Sequence, residues 1–103
     1  MLTIDPESRK RLRGIGHALH PVVTIAANGL SEAVGAELER ALREHELIKV
    51  KLAISDRELR RQLTRRIVAD FNATIVQEIG KIVLIYRHNP HPDPRLTNVA
   101  TNI

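Results

Sequence analysis

The sequence contains no cysteine and no tryptophan, and its aromatic residues are Phe71 and Tyr86. The absence of cysteine excludes a disulfide framework, a thiolate nucleophile and metal sites with cysteine ligands. Two aromatic side chains are too few to build a platform on which several exposed nucleic-acid bases stack. No apolar run approaches the roughly 20 residues that a membrane-spanning helix needs, so we expect no membrane partner. Any nucleic acid would therefore be bound through backbone amides, lysine and arginine.

Positive charge is in excess and is unevenly distributed along the chain. Sixteen Lys and Arg residues oppose twelve Asp and Glu residues, which gives a net charge of +4 and a pI near 10.1. The segment from Ser31 to Glu46 carries five acids and two bases, a net charge of −3, so the remainder carries +7. This distribution favours a polyanionic partner for the parts of the chain outside that segment.

Helix and strand patterns alternate along the sequence. Asp5 is a good N-cap and is followed by Pro6 and Glu7, which predicts that the first helix begins there. From His88 onward, three prolines and the lack of apolar periodicity predict a flexible tail over 88–103, after a single domain over 1–87. The remaining elements are predicted as a strand at 21–27, a helix at 32–44, a strand at 47–54, a helix opened by the capping box Ser55-Asp56-Arg57-Glu58, and strands at 73–79 and 82–86 joined by a type II′ turn at Gly80-Lys81.

This order predicts an α/β fold, a two-layer sandwich with the element order α-β-α-β-α-β-β and one uncovered sheet face. Right-handed crossovers put both crossover helices on the same face of the sheet. The run Ile82–Ile85 is apolar throughout and predicts an inner strand, whereas Gln77 and Glu78 mark the preceding strand as an edge. We therefore expect a four-stranded mixed sheet in the order 1-2-4-3, with the last strand antiparallel.

Two local features indicate where phosphate groups bind. Asn28-Gly29 is a tight turn between a strand and a helix, where free amides and the positive end of the helix dipole converge. In the next strand, Lys49 and Lys51 alternate with apolar residues, so one strand face meets a core and the other presents the lysines. Each feature also has a plain structural explanation, as an ordinary turn and as a solvated strand face.

Four segments have an order and spacing that resemble a known family. They are Arg13–Val23, Asn28–Glu32, His45–Lys51 and Ile79–Arg87, within a match over about residues 8–87. They resemble the CRM domain, named for chloroplast RNA splicing and ribosome maturation, and more narrowly the stand-alone bacterial YhbY-type proteins. This resemblance implies a fold similar to the C-terminal domain of translation initiation factor three. It also implies a non-catalytic RNA-binding protein.

For bacterial members, the resemblance implies a partner and a process. The partner is large-subunit rRNA in precursors of the large ribosomal subunit, and the process is ribosome assembly. The family's Gly-x-x-Gly loop corresponds to Ala26–Gly29, where Ala26 replaces the first glycine. The family often has lysine where this chain has His20, so a contact there is expected to depend on pH.

The expected RNA contacts combine the loop, the basic helices and the lysine-bearing strand. We expect no catalytic residue, metal site, cofactor or small-molecule substrate, and we expect a cytoplasmic monomer. The N-terminus lacks the basic segment and apolar core of a secretion signal, which agrees with that location. The residues expected to contact RNA are Arg9, Lys10, Arg13, His17, His20, Ala27, Asn28, Gly29, Lys49, Lys51, Arg57, Arg61, Lys81 and Arg87.

Other functions remain open from the residues alone. The first alternative is a general RNA chaperone or a translation-factor-like RNA-binding module. A small RNA-processing enzyme is a more distant alternative, because the five histidines lack a nucleophile or a carboxylate pair placed beside them. His88 and His91 in the tail are too few to define a metal site. No pair of predicted helices has the spacing of a DNA-binding helix-turn-helix.

Overall fold

The chain folds into alternating helices and strands, described here for residues 4–99 of a computed structural model. The type and order of the elements are those predicted, and their bounds differ by a few residues. The end of the predicted tail, 100–103, and the first three residues lie outside the described residues. The elements are α1 (Pro6–Gly16), β1 (Pro21–Ile25), α2 (Glu32–His45), β2 (Leu47–Leu52), α3 (Arg57–Asp70), β3 (Thr74–Ile79) and β4 (Ile82–Tyr86).

The four strands form one mixed sheet in the order β1-β2-β4-β3, as predicted. β1 is parallel to β2, and β4 is antiparallel to both of its neighbours. The central residues of β4, Val83 to Ile85, are all buried, which agrees with its inner position. A register shift between Ile75 and Gln77 interrupts the pairing of β3, the edge strand beside β4.

The first face of the sheet is covered by α2 and α3. Ser31 caps α2 by accepting a hydrogen bond from the amide of Val34, and Asp56 caps α3 by accepting one from Leu59. Asp56, rather than the predicted Ser55, is therefore the N-cap of α3. Leu59, in the first turn of α3, is 52% exposed. The main core comprises Val23, Ile25, Leu38, Ala41, Leu42, Ile48, Val50, Leu52, Ile67, Ala73, Val83 and Ile85.

The second face of the sheet is partly covered, whereas the sequence predicted that it would be open. α1 packs over one half of it, with Leu12 in a cluster with Leu47, Val76, Leu84 and Val99. The approach is close at Gly16, where an added Cβ would lie 2.5 Å from Cδ2 of Leu84. The other half of this face carries Lys49 and Lys51. No helix among residues 4–99 is long and apolar enough to cross a membrane.

Residues 88–99 contact the domain through the end of α2. Glu46, which ends this helix with a φ of 63°, is buried at 3% exposure. Its carboxylate accepts hydrogen bonds from the amide of Asn89 at 3.0 Å and the hydroxyl of Thr97 at 2.8 Å. Asn98 adds two bonds, from its amide to the His45 carbonyl and from its side chain to the Leu47 carbonyl. The described part of the predicted tail is thus bonded to the domain.

Candidate nucleic-acid interface

Three chain segments meet at one end of the sheet. The amide of Ala53, just after β2, donates to the carbonyl of Ile25 at 2.8 Å, and the amide of Leu52 donates to the carbonyl of Lys81 at 2.7 Å. These bonds bring the loop after β1, the start of α3 and the β3–β4 turn together. We call this region the basic end, and define it by the loop 26–29 with Lys51, Arg57, Arg61 and Lys81.

The loop at the basic end is a tight turn closed by Gly29. Gly29 has a φ of +81°, and its amide donates to the carbonyl of Ala26 at 2.9 Å. That amide was expected to face a phosphate, but the turn itself uses it. The amides of Ala27 and Asn28 make no hydrogen bond within residues 4–99, and both residues are exposed. The loop therefore offers these two amides to a ligand.

The replacement of the first loop glycine does not strain the turn. Within residues 4–99, positive φ values occur at Glu46, Asn72, Gly29 and Gly80, so Ala26 has an ordinary backbone conformation. The first turn of α2 carries the carboxylate of Glu32. An acid at that position occupies the favourable end of the helix dipole. The positive end of the α2 dipole is therefore already matched by an acid, whereas the amides of the loop are not.

The lysine face of β2 lies where the alternation predicted it. Ile48 and Val50 are buried in the main core, whereas Lys49 is half-buried and Lys51 is exposed on the second face. Lys51 pairs with Thr24 at the end of β1, so it lies beside the start of the loop. Lys49 lines a hollow of about 180 Å³ together with His17 from the end of α1. The lysine face thus continues from the basic end toward α1.

Two residues expected to contact RNA are engaged elsewhere. Nη1 of Arg9 donates to the carbonyls of Ile75 and Val76 at 2.7 and 3.0 Å, beside the irregular register of β3. Arg87 forms an ion pair with Glu39 of α2, and this hydrogen-bonded pairing lowers the pKa of Glu39. Arg87 follows β4 at the opposite end of the sheet from the loop. These two arginines hold elements of the fold together, because each has carbonyl or carboxylate acceptors within reach.

The other expected contacts lie away from the basic end. Lys10 is exposed on α1, and Arg13 is half-buried in the last turn of that helix. His20 precedes β1 and lines a hollow of about 260 Å³ with Lys49 and His45. Lys10, Arg13 and His20 therefore lie beside the second face of the sheet. Their contacts with RNA stay predictions.

One functional candidate was missed in the sequence. Arg60 donates through Nη1 to the carbonyls of Ile54 and Ser55 at 2.7 and 2.8 Å, and its guanidinium lines a cavity with Arg57 and Arg61. The one signal available was its position three residues after Arg57, which places both on one helix face. The carbonyls it contacts precede α3, and their orientation is set by the fold.

The fold and the basic end together define a class: an α/β domain that presents amides and cations to a polyanion. Comparison with known proteins makes this class specific. The model of the CRS1 / YhbY (CRM) domain matches residues 4–87. The chain belongs to this family, and the resemblance stated from its four segments is confirmed.

Several known proteins match this chain over most of its length and of their own. Probable RNA-binding protein PA4753 of Pseudomonas aeruginosa is 48% identical over 99 residues, which cover 96% of this chain and 95% of that protein. A protein of Haemophilus influenzae, named RNA-binding protein, is 46% identical over 87 residues, or 84% of this chain and 88% of that one. The solution structure of SAV1595 from Staphylococcus aureus has a TM-score of 0.75 at 24% identity, covering 86% of this chain and 93% of that one. That similarity shows a shared fold.

Proposed function

We propose that this protein is a non-catalytic RNA-binding protein whose partner is large-subunit rRNA in ribosomal precursors, where it assists assembly. The observation that carries RNA binding is the basic end, where two free loop amides lie at the same end of the sheet as Lys51, Arg57, Arg61 and Lys81. Membership of the CRM family and the names of its relatives support RNA as the polyanion. The choice of large-subunit rRNA follows from the resemblance to YhbY-type proteins.

The basic end recognises the RNA backbone rather than stacked bases. Phe71 lies at the end of α3 and Tyr86 at the end of β4, so neither aromatic ring of this chain belongs to it. Amide donors and cations bind phosphate oxygens, and each neutralised phosphate releases counterions. The logarithm of affinity for single-stranded RNA should then fall against the logarithm of salt concentration with a slope of about −0.7 per phosphate contact. The basic end is complete within one chain, so a monomer suffices for this function, and the proposed location is the cytoplasm.

The experiment that tests the partner is crosslinking in cells followed by sequencing of the bound RNA. We expect large-subunit rRNA to be enriched over its share of total RNA, and a Gly29→Asp variant to recover less of it. Scattered messenger RNA without this enrichment would favour the alternative of a general RNA chaperone or translation-factor-like module. Recovery no higher than that of an untagged control would overturn RNA binding itself. Cleavage of RNA by the purified protein would contradict the non-catalytic part of the proposal.

A further inference from the structure

Three of the four cations that define the basic end, Arg57, Arg61 and Lys81, surround a cavity of their own. A cavity of about 550 Å³ separates the first two turns of α3 from the β3–β4 turn. We call it the α3 cavity. It is bounded by Val83, which belongs to the core under α2 and α3, so it lies on the first face of the sheet. Lys49 and Lys51 extend from the second face. The α3 cavity and the lysine face are therefore on opposite sides of the same sheet end.

The lining of the α3 cavity has a strong excess of positive charge. Four cations, Arg57, Arg60, Arg61 and Lys81, surround it, and Glu78 is the one acid among its lining residues. Within residues 4–99, the side chains of Arg57, Arg61, Lys81 and Glu78 make no hydrogen bond or ion pair. The excess is therefore not neutralised inside the protein.

Neighbouring acids of α3 are used in other contacts. Asp56 caps the helix by accepting the amide of Leu59 at 3.1 Å, and Glu58 accepts a bond from Gln62 at 3.5 Å. Because Asp56 occupies the cap, the α3 cavity does not depend on open amides at the helix end. Its attraction for anions comes from the side chains.

One wall of the α3 cavity is held in place before any ligand arrives. Arg60 is fixed by its two bonds to the carbonyls of Ile54 and Ser55. The buried hydroxyl of Thr64 donates to the carbonyl of Arg60 at 2.9 Å. A pre-ordered wall lowers the entropy that binding must overcome. Its volume lies within the roughly 300–1,000 Å³ of small-ligand sites, yet no aromatic residue lines it. Its chemistry suits a phosphate group rather than a stacked base.

We propose that the α3 cavity binds a phosphate group, and that an RNA held at the loop passes over the end of the sheet to reach it. The route over the sheet end rests on the proposed RNA-binding function, whereas the affinity of the cavity for phosphate does not. A terminal phosphate and an internal phosphodiester have the required chemistry in common.

The test compares two arginines on one helix. Arg61→Gln removes a cation from the α3 cavity, whereas Arg65→Gln removes an exposed cation one turn further along that is not among the lining residues. We expect Arg61→Gln to weaken binding of a single-stranded large-subunit rRNA fragment at least threefold, and to reduce the salt slope by about 0.7. Arg65→Gln should stay within twofold of the parent. Equal losses for both variants, at unchanged melting temperature, would overturn the proposal.

The source of the phosphate is distinguished by using the same RNA with a 5′-phosphate or a 5′-hydroxyl. A loss caused by Arg61→Gln with both RNAs identifies an internal phosphodiester, whereas a loss confined to the 5′-phosphorylated RNA identifies a terminal phosphate. Either result supports a phosphate site.

A titration with inorganic pyrophosphate separates the failure of this site from the failure of the proposed function. With no RNA present, we expect the amide resonances of Gly80 and Thr64 to shift in the parent and to stay unchanged in Arg61→Gln. These shifts in a protein that binds no RNA would uphold the site and overturn the RNA-binding function. RNA binding that depends on Gly29, without these shifts and without an effect of Arg61→Gln, would uphold RNA binding at the loop, remove Arg61 from the RNA contacts and overturn the site.

Discussion

Arg87 and Glu39 form a two-pronged ion pair that ties the end of β4 to α2. Nη1 of Arg87 donates to Oε1 of Glu39 at 2.9 Å, and Nη2 donates to Oε2 at 2.6 Å. Arg87 also donates to the carbonyl of Phe71 at 3.2 Å, at the end of α3. The Arg87 side chain is 20% exposed and that of Glu39 is 45% exposed, so solvent partly screens the pair. One guanidinium thus joins three elements of the first face.

This ion pair makes stability depend on pH in a defined direction. The hydrogen bonds from Arg87 lower the pKa of Glu39 in the folded protein, against a smaller opposing effect of burial. The pair therefore stabilises the fold above the pKa of Glu39 in the unfolded chain, and this contribution is lost as pH falls through the lower folded-state pKa. We expect Glu39→Gln to reduce the free energy of unfolding by about 1 kcal/mol or less at neutral pH, given the screening. Denaturant unfolding should show the difference from the parent disappearing in acid.

The control for this prediction is Glu37→Gln, which removes an exposed carboxylate of α2 that forms no ion pair among residues 4–99. It should leave the pH profile of stability near that of the parent. A pH-independent loss in Glu39→Gln, or the same profile in both variants, would contradict the stabilising role of the pair.

Removing the lysines of β2 should separate binding from folding. Both side chains leave the second face of the sheet, opposite the core residues Ile48 and Val50. We expect the double variant Lys49→Ala/Lys51→Ala to unfold within about 0.5 kcal/mol of the parent, as surface substitutions usually do. Its RNA affinity should fall severalfold and its salt dependence should become shallower. The matched variant Lys49→Arg/Lys51→Arg keeps the charge and should keep most of the affinity. An unfolded alanine variant, or one that binds as tightly as the parent, would contradict this placement.

The loop can be tested with a pair of variants that differ in charge alone. Gly29 has a φ of +81°, and nothing lies within 4 Å of an added Cβ, so a side chain there meets strain but no clash. Gly29→Asn and Gly29→Asp carry similar strain because their side chains have the same shape, and both residues tolerate positive φ. We expect their melting temperatures to agree closely. RNA affinity, measured by titration, should be severalfold lower for the aspartate because its carboxylate repels phosphate. Equal affinities would show that no phosphate lies near the loop.

The buried carboxylate of Glu46 predicts a cost for disconnecting residues 88–99. Glu46→Ala removes the acceptor for the amide of Asn89 and the hydroxyl of Thr97. Leaving such donors without partners usually costs about 1–3 kcal/mol. Glu44→Ala, in the same turn of α2, makes no bond to that segment and should cost less. Hydrogen exchange at the amides of Asn89 and Asn98 should accelerate in Glu46→Ala but not in Glu44→Ala. Unchanged exchange would show that Glu46 does not hold the segment.

The topology could be predicted from the sequence because its determinants are local. The apolar alternation of β2 indicated which of its side chains face the core, and the apolar run of β4 indicated its inner position. The right-handedness of strand–helix–strand crossovers placed α2 and α3 on the same face of the sheet. The position of α1 could not be predicted, since Leu12 and Ile15 show that the helix has an apolar side but not which sheet face it covers. In the structure that side meets the second face, where Gly16 fits closely against Leu84.

Within the candidate site, the sequence revealed charges but not their partners. Arg9 and Arg87 look no different from Arg57 and Arg61 in the sequence, yet their acceptors lie far away along the chain. Arg9 bonds a carbonyl 66 residues distant, and Arg87 bonds a carboxylate 48 residues distant. Lys51 was correctly placed on its strand face because its orientation follows from a two-residue period. No comparable sequence period indicates which distant acceptor an arginine side chain will contact.

The burial of Glu46 has a consequence for where this domain can be cut. The family match stops at residue 87, and a fragment trimmed there would keep every helix and strand. It would nevertheless lose Asn89 and Thr97, which bond the carboxylate of Glu46, and Val99, which packs with Leu12 and Leu47. We therefore expect a fragment over residues 4–87 to unfold more easily than the chain that continues through Val99.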